Sequence, residues 1–106
     1  MPKFLLQVSY TAEGAKGVLK DGGSKRRAAA EAAIQSLGGR LETFYYAFGE
    51  SDVFAIADLP DAVSAAAASI TLAASGAVTT KTTVLLAPEE IDAAVKKSAT
   101  YTPPGR

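Results

Sequence analysis

The chain contains no cysteine and no histidine. Without cysteine it has no disulfide, no thiolate nucleophile and no cysteine-ligated zinc or iron–sulfur cluster. Without histidine it has no Ser-His-Asp triad, no imidazole ligand for haem and no side chain that ordinarily titrates near neutral pH. The acidic residues are scattered and lack the spacing of a calcium loop. We therefore expect no cofactor and no metal site, and any catalysis must use carboxylates, hydroxyl groups, lysine, arginine or the backbone.

The chain also lacks a charge excess and a long hydrophobic run. Eleven basic residues balance eleven acidic ones, so neither nucleic acid nor a membrane surface is expected as a partner. No apolar stretch approaches the roughly 20 residues of a membrane-spanning helix. Met1-Pro2-Lys3 leads into a predicted strand without a signal-peptide pattern, and the predicted location is therefore the cytoplasm.

The length of 106 residues fits one domain, predicted over residues 1–106, with a single core. Apolar residues make up 48% of the chain. Because alanine supplies many of them, few bulky side chains are available to that core. We expect association between copies of the chain to compensate.

The order of helix and strand signals is β-α-β-β-α-β, followed by a C-terminal helix. The predicted elements are a strand at 3–10, a short helix at 12–20, a helix at 25–37 capped by Ser24, a hairpin within 38–58, a helix at 62–75, a strand at 77–87 and a helix that Pro88 opens. This order is typical of the ferredoxin-like α+β fold.

The helix at 62–75 carries mostly small side chains on its predicted apolar stripe. That stripe consists of Val63, Ala66, Ala67, Ile70, Ala73 and Ala74. Small side chains either let a helix lie close to the sheet or leave room for a ligand beneath it. The sequence leaves both possibilities open.

The hairpin has apolar residues on both of its predicted faces. One face is predicted to hold Leu41, Thr43, Tyr45, Val53 and Ala55, and the other Phe44, Tyr46, Phe48, Phe54 and Ile56. The helices of so small a chain cover only one face of a sheet, so the second face predicts a partner subunit. We expect two sheets to pack face to face in a homodimer or in a larger homo-oligomer.

Short motifs occur along nearly the whole chain. They are Ser9-Tyr10-Thr11, Glu13-Gly14, Gly38-Gly39 before an aromatic strand, the turn before Asp52-Val53, Leu59-Pro60-Asp61, and the segment from Gly76 to Thr82. Together they resemble the GYD-domain family. Gly49-Glu50-Ser51-Asp52 stands where the family's name motif reads Gly-Tyr-Asp, so the tyrosine is absent and one residue is added. The resemblance implies a dimeric α+β barrel and leaves the reaction open, because such barrels host oxygenases, isomerases, sensors and binding proteins.

The first candidate site is a glycine-rich turn that leads into a basic helix start. Its candidate ligand-binding residues are Gly22, Gly23, Ser24, Arg26 and Arg27. Cations in a first helical turn oppose the helix dipole, whereas the backbone N–H groups there attract anions. A phosphate or carboxylate ligand would relieve the conflict. The alternative is a solvated turn whose cations pair with acids such as Glu31.

The second candidate site is a set of polar residues in an otherwise apolar sheet. Tyr10, Tyr46 and Asp52 are the candidate catalytic residues, because a hydroxyl and a carboxylate beside a shielded pocket could orient an enolisable or phenolic molecule. The alternative is that the tyrosines pack in the core or an interface and that Asp52 hydrogen-bonds the hairpin turn.

The leading hypothesis is a homo-oligomer that binds a small, partly apolar or anionic metabolite. The alternatives are a cofactor-independent enzyme of the oxygenase or isomerase type, and an assembly protein without a ligand. The C-terminal segment from Tyr101 to Arg106 either lies over a partner subunit or is a frayed end.

Overall fold

Four antiparallel strands form one sheet, in the order β2-β3-β1-β4. The computed structural model describes all 106 residues. Its elements are β1 (Lys3–Tyr10), α1 (Ala12–Asp21), α2 (Gly23–Ser36), β2 (Arg40–Tyr46), β3 (Val53–Asp58), α3 (Ala62–Ala74), β4 (Val78–Leu85) and α4 (Pro88–Val95). The first and last strands of the β-α-β-β-α-β unit are neighbours, and the predicted ferredoxin-like α+β fold is confirmed.

The junction between α1 and α2 is tighter than predicted. α2 begins at Gly23 rather than at Lys25, and its N-cap is Gly22 rather than Ser24. Gly22 has a φ of 79°, a left-handed conformation that costs glycine little and most other residues more. One residue therefore turns the chain between the two helices, and Ser24 lies inside the first turn of α2.

A bulge in β2 overturns the predicted assignment of hairpin faces. Tyr46 pairs with Val53 and Phe44 with Ala55, and the register shifts between Leu41 and Thr43. Because directly paired residues share a face and the bulge adds one residue, Leu41 lies on the same side as Phe44. The helix-covered face thus holds Leu41, Phe44, Tyr46, Val53 and Ala55, and the open face holds Thr43, Tyr45, Phe54 and Ile56.

The buried side of α3 also differs from the prediction. Ala65 and Ala68 are buried, whereas Val63 and Ile70 are 78% and 69% exposed. The Asp61 side chain caps the helix, and the hydroxyl groups of Ser69 and Thr82 lie 2.7 Å apart, which holds α3 against β4. The helix contains no charged residue. Its sequence is apolar over most of its surface, and periodicity could not identify the inner side.

The core lies between the helices and the helix-covered face of the sheet. It is formed by Phe4, Leu6, Ile34, Leu41, Val53, Ala55, Ala57, Leu59 and Ala65. At one end of the open face, the buried carboxylate of Asp58 accepts hydrogen bonds from Lys3 Nζ at 2.9 Å and from Arg40 Nη2 at 3.0 Å. Glu42 Oε2 lies 3.3 Å from the same Lys3 nitrogen. Each of these four charged side chains therefore has a partner of opposite charge at this end of the sheet.

α4 and the residues after it extend away from the rest of the chain. All residues of α4 are exposed, and the molecule measures 57 × 33 × 22 Å along its principal axes. None of the helices has the length and hydrophobicity that a membrane crossing requires.

Candidate functional site

An apolar cleft opens between α2 and α3 above the helix-covered face of the sheet. It has a volume of about 200 Å³, and hydrophobic side chains make up most of its lining. α2 packs on β2 and α3 on β4, which are the two edge strands, so the helices lie on either side of β3 and β1. Leu6 and Val8 of β1 and Ala55 of β3 contribute to the cleft floor.

Small side chains keep this cleft open. Ala29, Ala30 and Ala33 line it from α2, and Ala68 and Thr71 line it from α3. Longer side chains at these positions would fill the space between the helices. None of the residues of the predicted apolar stripe of α3 lines the cleft, and the room between the helices comes instead from Ala68 and Thr71 and from the alanines of α2.

Arg26 is the only charged residue that lines the cleft. Its side chain is 39% exposed, and its Nη1 lies 3.7 Å from Asp21 Oδ2. At that distance and exposure the ion pair is weak and leaves guanidinium N–H groups available to a ligand. An apolar molecule in the cleft could thus place an acidic group against Arg26.

The other residues of the predicted anion site have different surroundings. Arg27 and Ser24 are exposed and do not line the cleft. The carbonyl oxygen of Gly23 accepts a hydrogen bond from the Tyr46 hydroxyl at 3.0 Å. The basic helix start is partly neutralised by Asp21 of α1, which lies 3.9 Å from Lys25 Nζ and also pairs with Arg26. This acid, rather than Glu31, is the partner of Lys25 and Arg26.

The three candidate catalytic residues are neighbours, but two of them use their polar atoms in backbone hydrogen bonds. Asp52 Oδ2 accepts from the Tyr10 backbone N–H at 2.8 Å, and the Tyr46 hydroxyl donates to Gly23. Tyr10 borders both the cleft and a second groove beside Asp52 and Phe48. Asp52 and Tyr46 therefore hold the hairpin against β1 and the α1–α2 junction.

The Tyr10 hydroxyl is strongly disposed to remain protonated. Burial raises the pKa of Tyr10 to about 12, with a further contribution from the nearby hydroxyl of Tyr46. Near neutral pH this hydroxyl is a hydrogen-bond donor and a poor proton acceptor. It can contribute to ligand orientation at the cleft.

The cleft itself was not identified from the sequence. Its lining includes Ile34, Ser36, Leu37 and Leu72, none of which belongs to a recognisable motif. The only sequence signal was the high alanine content of the two helices, which is compatible with close packing as well. No group of three acidic side chains lies close enough together to hold a metal ion.

Comparison with known proteins identifies the family of the chain. No curated protein and no solved structure matches it significantly. The model of the GYD domain matches residues 4–95, a range that runs from the second residue of β1 to the last residue of α4. The protein therefore belongs to the GYD domain family.

Proposed function

We propose that this protein is a cytoplasmic homo-oligomer that binds a small molecule with an apolar body and one acidic group. The observation that carries the proposal is the cleft between α2 and α3, which combines an apolar lining with one cation, Arg26. Apolar pockets with a few placed polar groups are the usual form of small-molecule sites.

The size of the cleft limits the ligand. An apolar cavity of about 150 Å³ is known to hold benzene, and the cleft has a volume of about 200 Å³. A single ring or a short branched chain therefore fits, with its carboxylate directed to Arg26. Thr71, Ser36 and the Tyr10 hydroxyl add a few polar groups to the lining, which favours a ligand with little polarity beyond its acidic group.

The same features favour binding over catalysis. Asp52 and Tyr46 are committed to backbone hydrogen bonds, and Tyr10 has a raised pKa. Of these three residues only Tyr10 lines the cleft, and a phenol with a raised pKa is a poor proton acceptor near neutral pH. We therefore prefer the binding hypothesis to the cofactor-independent enzyme.

Calorimetric titration with benzoate tests the proposed ligand class. Benzyl alcohol, which has the same ring without the charge, should bind more weakly. Arg26→Gln should weaken benzoate binding by about tenfold or more, because a hydrogen bond to a charged group contributes about 1.5–3 kcal/mol. Ala33→Leu should also weaken binding by filling the cleft.

Arg27→Gln is the matched control, since Arg27 carries the same charge one residue away and does not line the cleft. It should leave benzoate affinity unchanged. Equal losses in Arg26→Gln and Arg27→Gln would contradict a specific role for the cleft. Failure of benzoate and of other ring-sized or short-chain acids to bind would favour the assembly alternative.

Two features support the homo-oligomer. Tyr45 and Phe54, which pair on the open face of the sheet, are 68% and 39% exposed. The accessible surface of the chain is 7241 Å², whereas a compact monomer of this mass exposes about 5,600 Å². The difference of about 1,600 Å² lies within the range that one subunit of an obligate dimer buries. Sedimentation equilibrium at micromolar concentration should detect a dimer or a larger species, and a monomer alone would contradict this part of the proposal.

A further inference from the structure

We propose that the C-terminal arm, defined as Leu86–Tyr101, packs on a second copy of this chain and not on its own subunit. The inference rests on the proposed homo-oligomer and adds a distinct contact to it. The arm consists of α4 and the segments on either side of it. The structure offers four observations in its favour.

The first observation is the length of α4. The helix has eight residues, and isolated helices shorter than about 12 residues are marginal in water. All residues of α4 are exposed in the single chain. A stable α4 therefore needs a packing surface that its own subunit does not supply.

The second observation is the apolar side of the arm. Ile91 and Val95 are one helical turn apart and 46% and 75% exposed, and Leu86 and Tyr101 are 55% and 75% exposed. By helical geometry Glu89 lies on the side of α4 away from Ile91 and Val95, and Asp92 lies at the edge of their side. The arm thus has the amphipathic character of a helix that covers another surface.

The third observation is the rigid exit of the arm from the sheet. Ala87 precedes Pro88, which restricts it to extended backbone, and its φ and ψ are −69° and 155°. Its N–H donates to Glu90 Oε1 at 2.9 Å, and its carbonyl oxygen accepts from the Glu90 N–H at 2.9 Å. The turn into α4 is therefore well defined by local contacts, and it directs the arm away from the subunit.

The fourth observation concerns the occupant. The radius of gyration is 16.9 Å, against about 13 Å for a compact chain of this length. A second copy of the chain supplies the packing surface that the arm lacks in the single subunit. In a two-fold symmetric dimer the two arms contact two equivalent surfaces. The open face of the sheet also ends beside the arm, since Leu85 of β4 pairs with Lys3 at the last position of the β1–β4 ladder. Contact through that face and contact through the arm can thus occur in one dimer.

The test compares two single substitutions in the full-length chain. Val95→Lys places a charge on the apolar side of α4, and Ala93→Lys places the same charge on the opposite side. Both positions are exposed in the single chain, so neither change should unfold it. We expect Val95→Lys to raise the dissociation constant of the dimer by at least about tenfold, because an unpaired charge would be buried. Ala93→Lys should leave it nearly unchanged.

Hydrogen exchange of the α4 amides in the unmodified protein is the second measurement. Protection should increase as the protein concentration rises through the dissociation constant, in parallel with dimerisation measured by sedimentation. Equal dimerisation of the two variants, together with unprotected α4 amides, would overturn the arm contact and leave the dimer in place. Protection at concentrations where the chain is monomeric would mean that the arm packs on its own subunit, which also overturns the inference. A protein that is monomeric throughout would refute the homo-oligomer and the arm contact together.

Discussion

Single side chains in this protein mostly connect elements that are distant in sequence. Asp58 joins β3 to β1 through Lys3 and to β2 through Arg40. The Tyr46 hydroxyl joins β2 to the α1–α2 junction, and Asp52 joins the hairpin loop to β1. The bonds of Asp58 satisfy a buried carboxylate that would otherwise have no partner.

Asp58 should make the stability of the protein sensitive to acid. The hydrogen bond from Lys3 lowers the pKa of Asp58, Arg40 lowers it further, and burial partly opposes both. A carboxyl group with a lowered pKa in the folded state stabilises the fold above its unfolded pKa of about 3.9, and this contribution is lost as the pH falls through the folded value. The free energy of unfolding should therefore decrease below about pH 4.

Guanidinium unfolding between pH 2 and 7 measures this effect. Asp58→Asn should be less stable than the unmodified protein at pH 7 by about 1–3 kcal/mol, because the charged hydrogen bonds are lost. The difference should shrink in acid. The control Glu31→Gln removes a carboxylate outside this cluster and should keep the acid sensitivity. Parallel pH profiles for Asp58→Asn and the unmodified protein would contradict the assignment.

At the scale of the elements, close approach between backbone segments positions α1 on the sheet. Gly14 of α1 lies against the backbone of Ala77 and the ring of Tyr10. Thr11 extends the same contact, since its hydroxyl donates to the Gly76 carbonyl oxygen at 2.8 Å and its N–H donates to Ala77 at 2.9 Å. The start of α1 is therefore anchored at the entrance to β4, beside the Tyr10 side of the cleft.

Two glycines three residues apart in α1 should respond oppositely to alanine. A Cβ at Gly14 would overlap the Ala77 carbonyl oxygen, whereas a Cβ at Gly17 would have no neighbour within 4 Å. Gly14→Ala should lower the free energy of unfolding by about 1–3 kcal/mol through overpacking. Gly17→Ala should raise it by about 0.5–1 kcal/mol through helix propensity. Urea unfolding of both variants tests this, and changes of the same sign would contradict the packing of α1.

At the scale of the whole molecule, the sheet has one face that the subunit covers and one that it leaves open. Each of the two faces carries one phenylalanine of the hairpin. Phe44 packs against the core cluster and lines the cleft, whereas Phe54 lies beside Tyr45 on the open face. An open apolar face of this kind usually belongs to an interface.

Substitution of Phe44 by aspartate should therefore impair folding, whereas substitution of Phe54 by aspartate should impair association. Phe44→Asp should destabilise the subunit, because a charge would be placed against the core cluster without a partner. Phe54→Asp should preserve the far-ultraviolet circular dichroism spectrum and shift the sedimentation profile towards the monomer. Unchanged association in Phe54→Asp would show that the open face is not the contact between subunits.

The amino-acid sequence by itself determined the order of the elements, the ferredoxin-like fold class and the family. It also determined what chemistry is excluded, because a chain without cysteine and histidine lacks those ligands and nucleophiles in any fold. These properties follow from local signals such as Gly38-Gly39 after α2 and the Asp61 cap of α3, which act within a few residues.

Only the tertiary structure decided which side of each element is buried and where the candidate site lies. The bulge before Thr43 reassigned the hairpin faces, and the register of α3 against β4 turned Val63 and Ile70 outwards. The ion pair of Arg26 with Asp21 and the cleft depend on how α1, α2 and α3 are placed on the sheet. Such placements result from packing between distant segments, and a pattern of residues along the chain does not encode them locally.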